Sequence, residues 1–73
     1  MQTLKYYYFT RGTLASELIT SGVNVERTGN IYDPTRQSWK AEFSPLLCQV
    51  VRRYFRDRNL PVPQVIIEQE QQF

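Results

Sequence analysis

The chain has 73 residues and a formal charge of +2, nine Lys and Arg against seven Asp and Glu, which fits one small domain with a single core and excludes a two-domain enzyme. It has no histidine and one cysteine, Cys48, so it cannot by itself form a Ser-His-Asp or Cys-His arrangement, a Cys/His zinc site or an internal disulfide. With 41% hydrophobic residues the composition is that of a folding chain, and no apolar run approaches the roughly 20 residues of a membrane span.

The opening residues Met1 to Lys5 lack the basic and apolar regions of a signal peptide, and a single unpaired cysteine suits a reducing compartment, so the expected location is cytoplasmic. Leu4 to Phe9 is rich in β-favouring aromatics, and both alternating sets carry rings, which predicts an inner strand. Thr10 is then expected to cap a helix through Arg11 to Ser21, with Leu14, Ala15, Leu18 and Ile19 as its apolar stripe, Gly12 in its first turn and Gly22 as its stop.

From Val23 the period changes to two. Val23 and Val25 alternate with Asn24 and Glu26, and Trp39, Ala41 and Phe43 alternate with Ser38, Lys40 and Glu42, the pattern of two half-buried strands. Thr28-Gly29-Asn30 and Asp33 to Arg36 are both turn signals. The segment reads as a hairpin closed at Asp33 to Arg36, which lets Ile31 join Trp39, or as a long strand with a bulge near Gly29, or a three-strand meander.

Ser44-Pro45 is a helix opening, with Ser as N-cap and Pro at the first helical position, where no backbone donor is lost. The helix is expected to reach about Arg58 and end at Asn59, with Leu47, Val50, Val51 and Tyr54 facing the core and Gln49, Arg52, Arg53 and Arg56 on the opposite side. Leu60-Pro61-Val62-Pro63 suits neither helix nor central strand, and Val65-Ile66-Ile67 reads as a short edge strand. The expected architecture is a single small α+β domain over residues 1–60, in the order β-α-β-β-α with an optional final β, and two helices on one face of an antiparallel sheet. That is the order of a split-βαβ, ferredoxin-like sandwich. Residues 61–73 form a Pro/Gln-rich C-terminal segment, an edge strand followed by a flexible tail.

The aromatic strand, Thr10, Leu14-Ala15, Leu18 and Gly22, followed by a hairpin and a helix carrying Tyr54, resembles a family of small proteins from bacteriophages and bacterial mobile elements. The resemblance spans about residues 5–60; Gly12 and the Pro/Gln tail depart from it. It implies a setting, a phage or mobile element whose short proteins bind a host protein or nucleic acid, and no assigned activity or cofactor.

Four of the seven arginines, Arg52, Arg53, Arg56 and Arg58, fall within seven residues with Asp57 as the only acid among them. Arginine forks suit carboxylate or phosphate, so this stripe predicts an acidic protein partner or a nucleic-acid backbone, against the plainer reading of a solvated helix face. The rings of Tyr6 to Phe9 predict core on one side and a protein or dimer interface on the other; beside Lys5 and Lys40 they also suit base stacking. The aromatic anchors expected from this are Tyr7, Phe9 and Tyr32.

Glu17, Glu26, Asp33 and Glu42 are spread over separate elements, which predicts neither a metal site nor an acid–base pair. Cys48 lies early in the second helix, where the dipole favours a thiolate, but without a base it reads as a core filler. The overall expectation is a non-enzymatic protein-binding module, in the phage or mobile-element setting an inhibitor or regulator of a host protein complex, that is free to homodimerise; nucleic-acid binding is the alternative. With Glu68 and Glu70 in the tail, residues 1–60 carry nine basic against five acidic groups, so the tail is also placed to fold back over the arginines.

Overall fold

The computed structural model describes residues 5–29 and 36–73. The elements are β1 (Tyr6–Phe9), α1 (Gly12–Thr20), β2 (Val25–Gly29), β3 (Gln37–Glu42), α2 (Pro45–Asp57) and α3 (Gln64–Glu70). Ile31, Tyr32 and the turn residues 33–35 lie outside the described residues, as does Leu4.

The sheet has the order β1-β3-β2, and β3 runs antiparallel to both neighbours. β1 and β2 are therefore parallel with β3 between them, the split-βαβ topology expected from the element order. Alternation sends Tyr7, Phe9, Val25, Trp39, Ala41 and Phe43 towards the helices, where they pack with Leu14, Ala15, Leu18, Leu47, Val50, Val51 and Tyr54. Rings organise one end of this layer: Tyr7 stacks on Phe9 at 5.5 Å between centroids, and Phe9 on Trp39 at 6.2 Å.

The helix ends follow from local chemistry. Ser44 accepts a hydrogen bond from the Leu47 N–H at 3.1 Å, and Pro45 occupies the first helical position. Both long helices end in a Schellman motif: Val23 N–H bonds Leu18 C=O and Gly22 N–H bonds Ile19 C=O after α1, and Leu60 and Asn59 do the same to Phe55 and Arg56 after α2. The residue that reverses the chain has positive φ in each case, Gly22 at 94° and Asn59 at 56°.

Two details of α1 differ from the sequence expectation. The N-cap is Arg11 rather than Thr10, and it makes no side-chain capping bond. Ile19 is 59% exposed, because at about 100° per residue it falls beyond Ala15 at the outer edge of the arc that Leu14, Leu18 and Ala15 bury.

The largest difference is at the C-terminal end, where Val65-Ile66-Ile67 is helical rather than an edge strand and packs on α2. Ile66 is fully buried and Gln69, one turn on, is buried with it. Strand preference for β-branched residues is worth a fraction of a kcal/mol each, whereas enclosing one Ile side chain is worth about 1.5–3 kcal/mol, so the packing opportunity decides. Because the chain enters α3, no fourth strand lies beside β1 among the described residues, and β1 is an edge strand there rather than the inner strand expected from its aromatic residues.

Candidate interaction surface

The helices cover one face of the sheet, and among the described residues none covers the other. That outer face carries Tyr6 and Tyr8 from β1, the buried Ser38 with Lys40 and Glu42 from β3, and Glu26 and Thr28 from β2. Tyr8 is 62% exposed and stands in one cross-strand row with Lys40 and Glu26. Tyr6 meets Tyr8 edge-on at 6.4 Å and lies between two ammonium groups, Lys40 Nζ at 4.6 Å and Lys5 Nζ at 5.3 Å from its ring centroid.

The expected aromatic anchors are thus corrected by one position. Phe9 is 7% exposed and Tyr7 is half-buried, both on the helix side; the other alternating set faces outward, with Tyr8 largely exposed and Tyr6 half-buried. Burial raises the Tyr7 phenol above its ordinary pKa, with Arg11 pulling weakly the other way. Alternation alone could not choose between two sets that both carry rings; pairing with Trp39 and Ala41 makes the choice. Tyr32, the third expected anchor, lies outside the described residues.

The surface is nearly neutral. Lys5 and Lys40 are matched by Glu26 and Glu42, and Lys40 Nζ is 3.7 Å from Glu26 Oε2. A phosphate backbone favours uncompensated cations, whereas a neutral aromatic patch suits a protein contact.

The arginine stripe is less available than the sequence implies. Arg52 is engaged by Glu70 of α3, so one acid of the tail reaches one of the arginines, from a packed helix. Arg58 lies over the Tyr54 ring at 3.7 Å and approaches Glu17 Oε1 at 3.6 Å, tying α2 to α1. Arg53 and Arg56 are exposed on α2 and make no ion pair among the described residues. They project from the helix layer, away from Tyr6 and Tyr8, so the expected arginines and the displayed aromatics do not form one site.

Cys48 is enclosed in the core, and its thiol is pushed up by burial and by Glu70, against a weaker pull from Arg52. These effects outweigh the helix dipole that favours a thiolate. Among the described residues no three His, Cys, Asp or Glu side chains gather as metal ligands, and no helix is long and apolar enough to cross a membrane.

Comparison with protein-family models, curated proteins and solved structures finds no match to this chain.

Proposed function

We propose that this protein is a small non-enzymatic binding module whose ligand is another protein, held on the outer face of the sheet around Tyr8. The observation that carries this reading is a largely exposed tyrosine beside a second ring on a charge-balanced face that no helix covers. Tyrosine supplies large contact area at low entropic cost, and such anchors dominate many protein interfaces. The exposed Arg53 and Arg56 lie on the helix layer, outside this contact. The resemblance implies a phage or mobile-element setting, in which this binding would inhibit or regulate a host protein complex; the expected cytoplasmic location rests instead on the N-terminal sequence and the single cysteine.

The absence of histidine and the buried, proton-retaining Cys48 support a binding role over a catalytic one. Single-stranded nucleic acid is the second reading, favoured by one observation, the placement of Tyr6 between Lys5 and Lys40 next to Tyr8. Bases stack on such rings at about 1–3 kcal/mol each.

The test is affinity capture from bacterial lysate with wild type and Tyr8→Ser, alongside anisotropy titrations with single-stranded DNA and RNA at low and high salt. Specific protein capture that Tyr8→Ser abolishes, with unchanged circular dichroism, supports the protein-binding reading. No stable protein complex together with salt-sensitive oligonucleotide binding replaces it with the second.

A further inference from the structure

Among the described residues β1 pairs with β3 alone, which leaves its other edge without a neighbouring strand. The Phe43 N–H bonds Lys5 C=O at 3.0 Å, which makes Lys5 and Phe43 a hydrogen-bonded pair of the β1–β3 ladder. Hydrogen-bonded and non-hydrogen-bonded pairs alternate, so Tyr7 with Ala41 and Phe9 with Trp39 belong to the first kind. Tyr6 and Tyr8 belong to the second, and their N–H and C=O groups point away from β3 towards the free edge.

Edge strands in soluble proteins are normally protected by charges, proline or bulges. β2, at the other edge, follows this rule with Glu26 and Arg27. β1 does not: Tyr6-Tyr7-Tyr8-Phe9 carries no charge and no proline, and its register with β3 is unbroken.

We propose that this edge is occupied by β1 of a second copy of the chain, antiparallel and centred on Tyr7. In that register Tyr6 of each copy lies opposite Tyr8 of the other, and each such pair exchanges both outward-pointing backbone hydrogen bonds. A register shifted by one residue would oppose side chains from different faces and place inward-facing backbone groups at the junction. The centred register also brings Tyr6 and Tyr8 rings of the two copies together on the outer face and the two Tyr7 rings together on the helix side. The one charge bordering the strand, Lys5, meets Phe9 of the other copy, so no like charges oppose each other. Two sheets join as β2-β3-β1-β1-β3-β2 with all helices on one side, around a two-fold axis whose interface is self-complementary. The pairing depends on backbone groups, not on the partner-binding role of the outer face, and leaves that face open.

The experiment combines sedimentation velocity over a concentration series with amide hydrogen exchange on the full chain, for wild type and Tyr8→Pro. Proline at this position removes an N–H that β3 does not use, so the internal ladder keeps its bonds. A wild-type monomer–dimer equilibrium is expected, with exchange at the Tyr6 and Tyr8 amides slowing by at least about tenfold as dimer forms, and a monomeric Tyr8→Pro. A wild type that stays monomeric with Tyr6 and Tyr8 exchanging as free amides overturns the proposal. So does a dimer in which those amides stay unprotected or which folded Tyr8→Pro still forms. If Tyr8→Pro fails to fold, the wild-type exchange pattern alone decides. Protein capture lost in Tyr8→Ser while wild type remains monomeric would retain the partner reading and reject this one.

Discussion

Arg52 and Glu70 join α2 to α3 through a planar fork: Arg52 Nε donates to Glu70 Oε1 at 3.0 Å and Nη2 donates to Oε2 at 2.9 Å. The bond to Glu70 also raises the pKa of the guanidinium, which stays charged throughout the working range. Lysine cannot reproduce this two-point geometry. Arg52→Lys and Glu70→Gln should therefore both loosen α3, seen as faster hydrogen exchange across 64–70 with little change in α1, and raised salt should weaken the wild-type fork in the same sense. An unchanged exchange profile would show that burial alone holds α3.

That burial rests on Ile66, which is fully enclosed against α2. Ile66→Ala should cost about 2–5 kcal/mol, by the lost transfer energy and the cavity left behind. In a domain this small such a loss is a large part of the total stability, so the denaturant midpoint should fall sharply. A midpoint within error of wild type would mean that α3 contributes nothing to the fold in solution.

Gln69 is buried beside it, and among the described residues its Oε1 meets no hydrogen-bond donor. A buried carbonyl without a donor is destabilising by about 1–3 kcal/mol, while a side chain of similar shape without the polar atoms avoids that cost. Gln69→Met should accordingly raise stability by about 1 kcal/mol in a urea melt, at an unchanged m-value. A loss would indicate a polar role for the amide that the packing does not reveal.

The raised pKa of Cys48 makes stability depend on alkaline pH. The folded state holds the proton more tightly than the unfolded state, so the contribution is complete below the unfolded thiol value of about 8.5 and is lost as pH rises through the higher folded value. Tyr7, also raised, adds a similar loss in a window that starts near the ordinary phenol value of 10.0. Thermal melts from neutral pH upward should show this decline, with the lower-pH part flattened in Cys48→Ala and with slow reaction of native Cys48 towards thiol reagents. A melt curve indifferent to pH in both proteins would contradict the assignment.

Asn59 closes α2 with φ at 56°, a conformation that costs a residue with a plain Cβ about 1 kcal/mol. Asn59→Ala should lower stability by about that amount and Asn59→Gly should be close to neutral, both read from equilibrium unfolding. Equal losses in the two variants would place the importance of Asn59 in its side-chain amide instead.

The sequence by itself determined the features whose physics is local. Ser44 and Pro45 open α2, Gly22 and Asn59 close the helices, and Leu14, Leu18, Leu47, Val51 and Tyr54 face the core, because capping and helical periodicity are decided within a few residues. The alternation of Trp39, Ala41 and Phe43 likewise announced a half-buried strand. Tertiary structure decided what depends on distant neighbours. Tyr6-Tyr7-Tyr8-Phe9 is aromatic on both faces, so only its register against Trp39 and Ala41 shows which rings are displayed. The β-branched Val65-Ile66-Ile67 becomes helix because α2 offers a place to bury Ile66. Arg52, on a face that looks solvated in isolation, is taken by Glu70 eighteen positions away. For α3 the roughly 1.5–3 kcal/mol gained by enclosing Ile66 exceeds local strand preferences of a few tenths, and none of these three contacts exists until the chain has folded.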